Sequence, residues 1–246
     1  FKVLNLIFLL LIFSYIFDNS FTSSFNLSIL PIINSIPKST LQTITGNILG
    51  DGSISRKNIN SVGKYAMTMD AYSINYLQFL NENIYSKITN IKIYAYPNVL
   101  LPQHKGKEIT QYQMQSKTHP LFTALHDLWY KWDNETNKFI KIIPFNISEM
   151  FSELSLAYWI MDDGYFDSYG RTNTVFLCTE SFTKEECIIL QNLLLEKLDI
   201  KSTLKIRDKI NNRYRIRISK ASMDTVISLV KPHMHNDFIY KLGIGI

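Results

Sequence analysis

Most of this chain is written twice. Beyond about Ser39 the apolar residues fall into one order of periods in two successive stretches: helix, two strands, helix, two strands, helix. A chain so patterned has to build two similar layered units and then cover the faces that each leaves open. In the first stretch, Ser39-Thr40-Leu41-Gln42 is a candidate capping box for a helix through Ile44, Ile48 and Leu49. Gly52 is placed to stop that helix as a left-handed cap. Strands are expected over Ser53–Arg56 and Lys64–Met69, a helix over Ser73–Lys87, strands over Ile91–Tyr96 and Glu108–Lys117, and a helix from Pro120 through Trp129. In the second stretch Ser152 caps a helix that ends at Gly164. Strands Tyr165–Tyr169 and Asn173–Thr179, a helix over Thr183–Leu198, strands Ser202–Arg207 and Arg213–Ser219, and a helix over Met223–Val230 follow.

The late strands match best. Gln111-Tyr112-Gln113-Met114-Gln115 parallels Arg213-Tyr214-Arg215-Ile216-Arg217. Side chains alternate across a strand, so Gln111, Gln113 and Gln115 share one face, and Arg213, Arg215 and Arg217 the matching face of the other unit. Tyr112, Met114, Tyr214, Ile216 and Ile218 then point to a core. Along Ser202–Arg207, Thr203, Lys205 and Arg207 face one way and Leu204 and Ile206 the other. A polar face of a half-buried sheet can simply meet water. However, Arg and Gln are the side chains that read guanine and adenine edges in a bidentate way. Three alternate arginines also repel one another unless an anion lies above them.

Each unit's first helix ends in an acid followed by glycine: Gly50-Asp51-Gly52 and Asp162-Asp163-Gly164. Asp51 and Asp163 stand 112 positions apart, about one repeat. Asp-Gly is a common turn dipeptide. A carboxylate at a helix C-terminus is disfavoured by the partial negative charge there, and two at matching ends are costly if the units pack symmetrically. A divalent cation between them reverses that cost, and oxygen-only ligands suit Mg²⁺ or Mn²⁺. Gly50 and Asp162, which precede the two acids, complete the candidate metal set. Asp162 lies roughly 100° around the helix from Asp163 and is expected to be a helper or a surface group.

Composition sets wide bounds. A formal net charge of +5 suits a polyanionic partner without requiring one. The 33 Ile, 20 Asn and 20 Lys against 6 Ala and 6 Arg point to an AT-rich genome, such as many organelles carry. Cys178 and Cys187 form no CxxC pair and no zinc spacing, as expected of unbonded thiols in a reducing compartment. Val3–Phe17 is almost wholly apolar but shorter than the roughly 20 residues of a membrane helix. The chain starts with Phe, which fits a fragment or the tail of an upstream reading frame, and Asn19–Ser28 has the composition of a linker.

Ile44–Gly52 (ITGNILGDG) resembles the LAGLIDADG motif at Gly46, Ile48, Asp51 and Gly52, and Leu156–Gly164 (LAYWIMDDG) at Leu156, Ala157, Ile160, Asp163 and Gly164. The stretches LSLAYWIMDDG, TESFTKEE and FIYKLGI are similar to the single-chain LAGLIDADG homing endonucleases encoded in organelle introns. The likeness covers about Thr40 to Ile244. It implies an α+β fold of two pseudo-symmetric αββαββα halves, forming a saddle of antiparallel sheets with the motif helices at the central interface. Residues 1–38 would be leader and linker, 39–140 the first half and 141–246 the second. The family's last motif acids bind metal at the scissile phosphates, here Asp51 and Asp163. Its basic residues near the phosphates correspond to Lys141 and Lys241, which as bare sequence would be surface charges. Two departures stand out. Tyr158 and Trp159 replace small or aliphatic motif residues, so the helix contact is expected to be asymmetric, and Asp162 adds a second acid.

The resemblance implies a monomeric, mitochondrial or chloroplast enzyme with no obligate protein partner, cutting both strands of a long asymmetric DNA site. The alternative is a maturase that binds its host intron RNA and assists mRNA splicing. Retention of both acids favours cleavage. A membrane protein built around the N-terminal run fits the repeat poorly.

Overall fold

A computed structural model describes residues 31–169 and 172–244. Nearly all of the apolar leader and its linker lies outside these residues. The chain divides at Pro37, and the body is Lys38–Ile246. Among the described residues no helix is long and apolar enough to cross a membrane.

The repeat is realised element for element. In the first half, helix α1 (Lys38–Leu49) leads into β1 (Gly52–Ser55) and β2 (Lys64–Asp70), then α2 (Ile74–Asn83), β3 (Ile91–Tyr96), β4 (Gln111–Ser116) and α3 (Pro120–Trp129). The second half runs α5 (Glu153–Asp163), β7 (Gly164–Phe166), β8 (Val175–Cys178), α6 (Lys184–Leu198), β9 (Ser202–Asp208), β10 (Arg213–Ile218) and α7 (Met223–Val230), closing with a 3-10 helix, Asn236–Leu242. A hairpin, β5 (Tyr130–Asp133) and β6 (Lys138–Lys141), and a single turn, α4 (Ile147–Met150), join the halves. Each half has one antiparallel four-stranded sheet, with matching orders β1-β2-β4-β3 and β7-β8-β10-β9.

Local chemistry explains the element ends. Ser152 caps α5 in a capping box closed by Ser155, and Thr183 with Glu186 does the same for α6. Helix α1 begins at Lys38, so Ser39 lies inside its first turn. Each sheet buries alternate residues beneath its helices. Tyr65, Met67, Met114, Leu77, Leu80 and Phe122 are buried in the first half, where Tyr65 stacks on Phe122, and Leu177, Ile216, Ile218, Leu190, Leu194 and Val226 are buried in the second. Ile206 departs from its expected inward face. It is 57% exposed, because β9 and β10 run past the core there and the ladder slips by one residue between Arg213 and Tyr214.

The halves meet along α1 and α5. A Cβ on Gly46 would lie 2.3 Å from the Ser155 carbonyl oxygen and 2.8 Å from Tyr158 Cβ, and one on Gly50 only 2.4 Å from Asp162 Cβ. Only glycine lets the backbones approach so closely. The contact is asymmetric as expected: Gly46 on one helix receives Tyr158 from the other, and Tyr158 is buried.

Candidate active site

Both motif helices end at this interface without a left-handed cap. Gly52 is the first residue of β1, and Gly164 has φ −93° and ψ 157°. The expectation of a left-handed stop is therefore wrong. Glycine is needed there for room, since a Cβ at either position would fall 2.7 Å from the preceding helical turn. The free carbonyls are satisfied otherwise. Lys141 Nζ donates to the carbonyls of Ile48 (2.8 Å) and Gly52 (3.0 Å) at the end of α1. Lys241 Nζ donates to those of Met161 (2.6 Å) and Asp162 (3.2 Å) at the end of α5. Cations thus sit where the helix dipoles and the two acids are most negative. Lys141 comes from the joining hairpin and Lys241 from the final 3-10 helix, so the two halves solve the problem alike.

Asp51, Asp163, Lys141 and Lys241 are close enough to perturb one another. Burial and the charge of Asp163 raise the Asp51 carboxyl to about 6, and Lys241 and Lys141 oppose the rise. Burial and Glu180 raise Asp163. Desolvation pushes the Lys141 ammonium down to about 8 and lowers Lys241 as well. Two partly buried acids whose carboxyls are both held above the usual range, Asp51 in part by the charge of Asp163, fit a divalent cation. Among the described residues, no group of three or more His, Cys, Asp or Glu is gathered for a metal. A cation held here would therefore complete its shell with water and phosphate oxygens.

Asp162 is not a surface group. It is 6% exposed. Its Oδ2 accepts from Asn47 Nδ2 (2.9 Å) and its Oδ1 from the Tyr76 hydroxyl (2.8 Å). Asn47 Oδ1 in turn accepts from Tyr85 (3.0 Å). Both carboxylate oxygens are engaged with protein donors, and burial holds this carboxyl well above the usual range. Gly50 lies against the same side chain.

The two sheets present the expected polar faces. Gln111, Thr203, Lys205, Arg207 and Arg213 are exposed, and Gln113, Gln115, Arg215 and Arg217 half-buried. Gln113 stands between Thr68 and Tyr94, and Arg217 between Phe176 and Thr203. Arg207 falls at the slip in the ladder and has no cross-strand partner. The three arginines do not share one environment. Arg215 is ion-paired with Glu180, donates to the Tyr165 hydroxyl (3.1 Å) and lies over that ring. Sequence reasoning missed Glu180, Asn47, Tyr76 and the sheet-face tyrosines Tyr94 and Tyr96, which are 49% and 65% exposed. One signal was available for Glu180: it stands just past β8, at the place that Asp70, the last residue of β2, holds in the first half.

Residues 41–226 match the model of the LAGLIDADG DNA endonuclease family. The chain belongs to that family. Among its LAGLIDADG relatives, the intron-encoded endonuclease ai4 of Dictyostelium discoideum is 32% identical over 68% of this chain and 98% of its own length. The cytochrome b mRNA maturase bI2 of Saccharomyces cerevisiae is 30% identical over 86% of this chain and 49% of its own length. Among solved structures, the homing endonuclease I-WcaI bound to its DNA recognition sequence is similar with a TM-score of 0.65 and 27% identity, covering 84% of this chain and 86% of that one.

Proposed function

We propose that this LAGLIDADG protein is a site-specific homing endonuclease that hydrolyses phosphodiester bonds in both strands of a long DNA duplex. One observation carries the reading. The fold brings the repeated acids Asp51 and Asp163 together with Lys141 and Lys241, and the adjoining sheets bear Gln and Arg side chains. The likeness to I-WcaI, which is bound to its DNA recognition sequence, supports the same class of partner.

Asp51 and Asp163 would hold the divalent cation, Mg²⁺ or Mn²⁺, with Gly50 and the backbone at Asp162 lining the same helix ends. Bound there, it would polarise the phosphate and favour ionisation of an attacking water. Each lysine spends two of its three N–H donors on backbone carbonyls at a motif-helix end and would keep one for a phosphate oxygen. The positions Gln111, Gln113, Gln115, Thr203, Lys205, Arg207, Arg213 and Arg217 would meet bases and backbone, while Arg215 braces Glu180 beside Asp163. The faces differ between halves, so the site recognised would be asymmetric and the working form a monomer.

A second reading, binding of host intron RNA to assist splicing, draws on the likeness to the yeast maturase. That relative is named for a cytochrome b mRNA, and with the AT-rich codon bias it favours a mitochondrial setting. The test is incubation of the purified protein with duplex DNA spanning the intronless allele, with and without Mg²⁺. Double-strand cleavage is expected from the native protein. Asp51→Asn and Asp163→Asn should each abolish it while keeping target affinity within a few-fold. Normal cleavage by either variant would remove that acid from the mechanism.

A further inference from the structure

Two departures from the family motif stand on opposite helices and touch. Asn47 takes the place of the motif's fourth residue, a leucine, in the first copy, and Asp162 that of its seventh, an alanine, in the second. Asn47 Nδ2 donates to Asp162 Oδ2 at 2.9 Å. The pair extends outward through Tyr76 on α2, which donates to Asp162 Oδ1 at 2.8 Å, and Tyr85, which donates to Asn47 Oδ1 at 3.0 Å. Asn47, Tyr76 and Tyr85 are wholly buried. The symmetry-related positions are Trp159 and Gly50, so the other half has no counterpart.

A buried polar pair at a helix interface adds little net stability but disfavours any slip that would leave its groups unpaired. Here a slip along α1 and α5 would also change the separation of Asp51 and Asp163, which lie within about one turn of the pair. We propose that Asp162 and Asn47 form a one-sided register lock, making Asp162 a positioning residue that sets the spacing of the two catalytic acids. This rests on the endonuclease reading only for its effect on cleavage.

The hydrogen-bond pattern permits an exchange. In N47D/D162N the amide now carried at position 162 donates to the carboxylate now carried at position 47. Tyr76 still donates to the amide oxygen at 162, and Tyr85 still donates to the carboxylate at 47. Single-turnover cleavage with saturating protein and Mg²⁺, metal-free target affinity and thermal melting are the readouts. D162A should cut at least tenfold more slowly with affinity within threefold of native, and should melt several degrees lower. N47D alone, which opposes two carboxylates, should be slow as well. The exchange should bring rate and melting temperature back to within threefold and about 2 °C of native. D162A cutting at the native rate would overturn the proposal. So would an exchanged protein as slow as N47D, because the carboxylate at 162 would then itself be required. If D162A does not fold, N47D against the exchange decides. Native protein that binds but does not cut would sink the endonuclease reading alone; the lock would then be judged by recovery of melting temperature in the exchange.

Discussion

Asp51 ionises against its surroundings. Its carboxyl titrates at about 6 in the fold against 3.8 when free, so the folded state binds the proton more tightly than the unfolded one. Stability must then fall as pH rises from about 4 to about 6, and stay low above. Asp51→Asn removes this contribution. The native protein, free of divalent cations, should lose melting temperature relative to the variant across that window, and added Mg²⁺ should close the gap at pH 7. Parallel melting profiles for the two proteins would contradict the assignment. That Asp51 and Asp163 would stand at matching helix ends was legible from their repeated placement. The burial of Asp162 was not. Its rotation about the helix was correctly placed, but on a surface helix that direction would lead to water, whereas a helix at the centre of two packed halves has protein on almost every side.

At the scale of elements, the motif helices are finished by side chains from elsewhere. Lys141→Met or Lys241→Met takes a donor from backbone carbonyls at the helix ends, which should cost about 1–3 kcal/mol in urea unfolding and slow cleavage at least tenfold. Loss of cleavage without loss of stability would mean that the lysines act on DNA alone. Helices and strands were legible wherever the apolar period ran for six residues or more, as in β3, β4, α3 and α7. The β5–β6 hairpin was not: its strands are four residues each, and its turn depends on Asn137 in the left-handed region. The arginine strand was legible as a face but not as three distinct environments. Arg217→Ala should relax preference at one base pair by about 1–3 kcal/mol if it reads guanine. Arg215→Ala should instead lower the cleavage rate, since Arg215 is bound to Glu180 beside Asp163. Titrations against the target and point-mutated sites at several salt concentrations distinguish the two roles. Equal loss of affinity for all sites from Arg217→Ala would make it a phosphate contact.

At the largest scale, the body from Lys38 onward is a pair of halves closed on each other, each with its own sheet and a shared central seam. Light scattering should therefore give a monomer, both free and with one DNA duplex. A stable dimer on a palindromic site would refute the asymmetric reading. The one-sided polar pair at the seam bears on how this chain can be taken apart. Two copies of the first half, set about the same axis, would bring each Asn47 against a Gly50 and leave its amide unanswered. Two copies of the second half would press each Asp162 carboxyl against Trp159. Separate expression of either half should therefore yield no active homodimer, whereas co-expression of the two has the complementary surfaces it needs. The sequence changes that made the halves different have also made each the surface on which the other's buried Asn47 or Asp162 finds its partner.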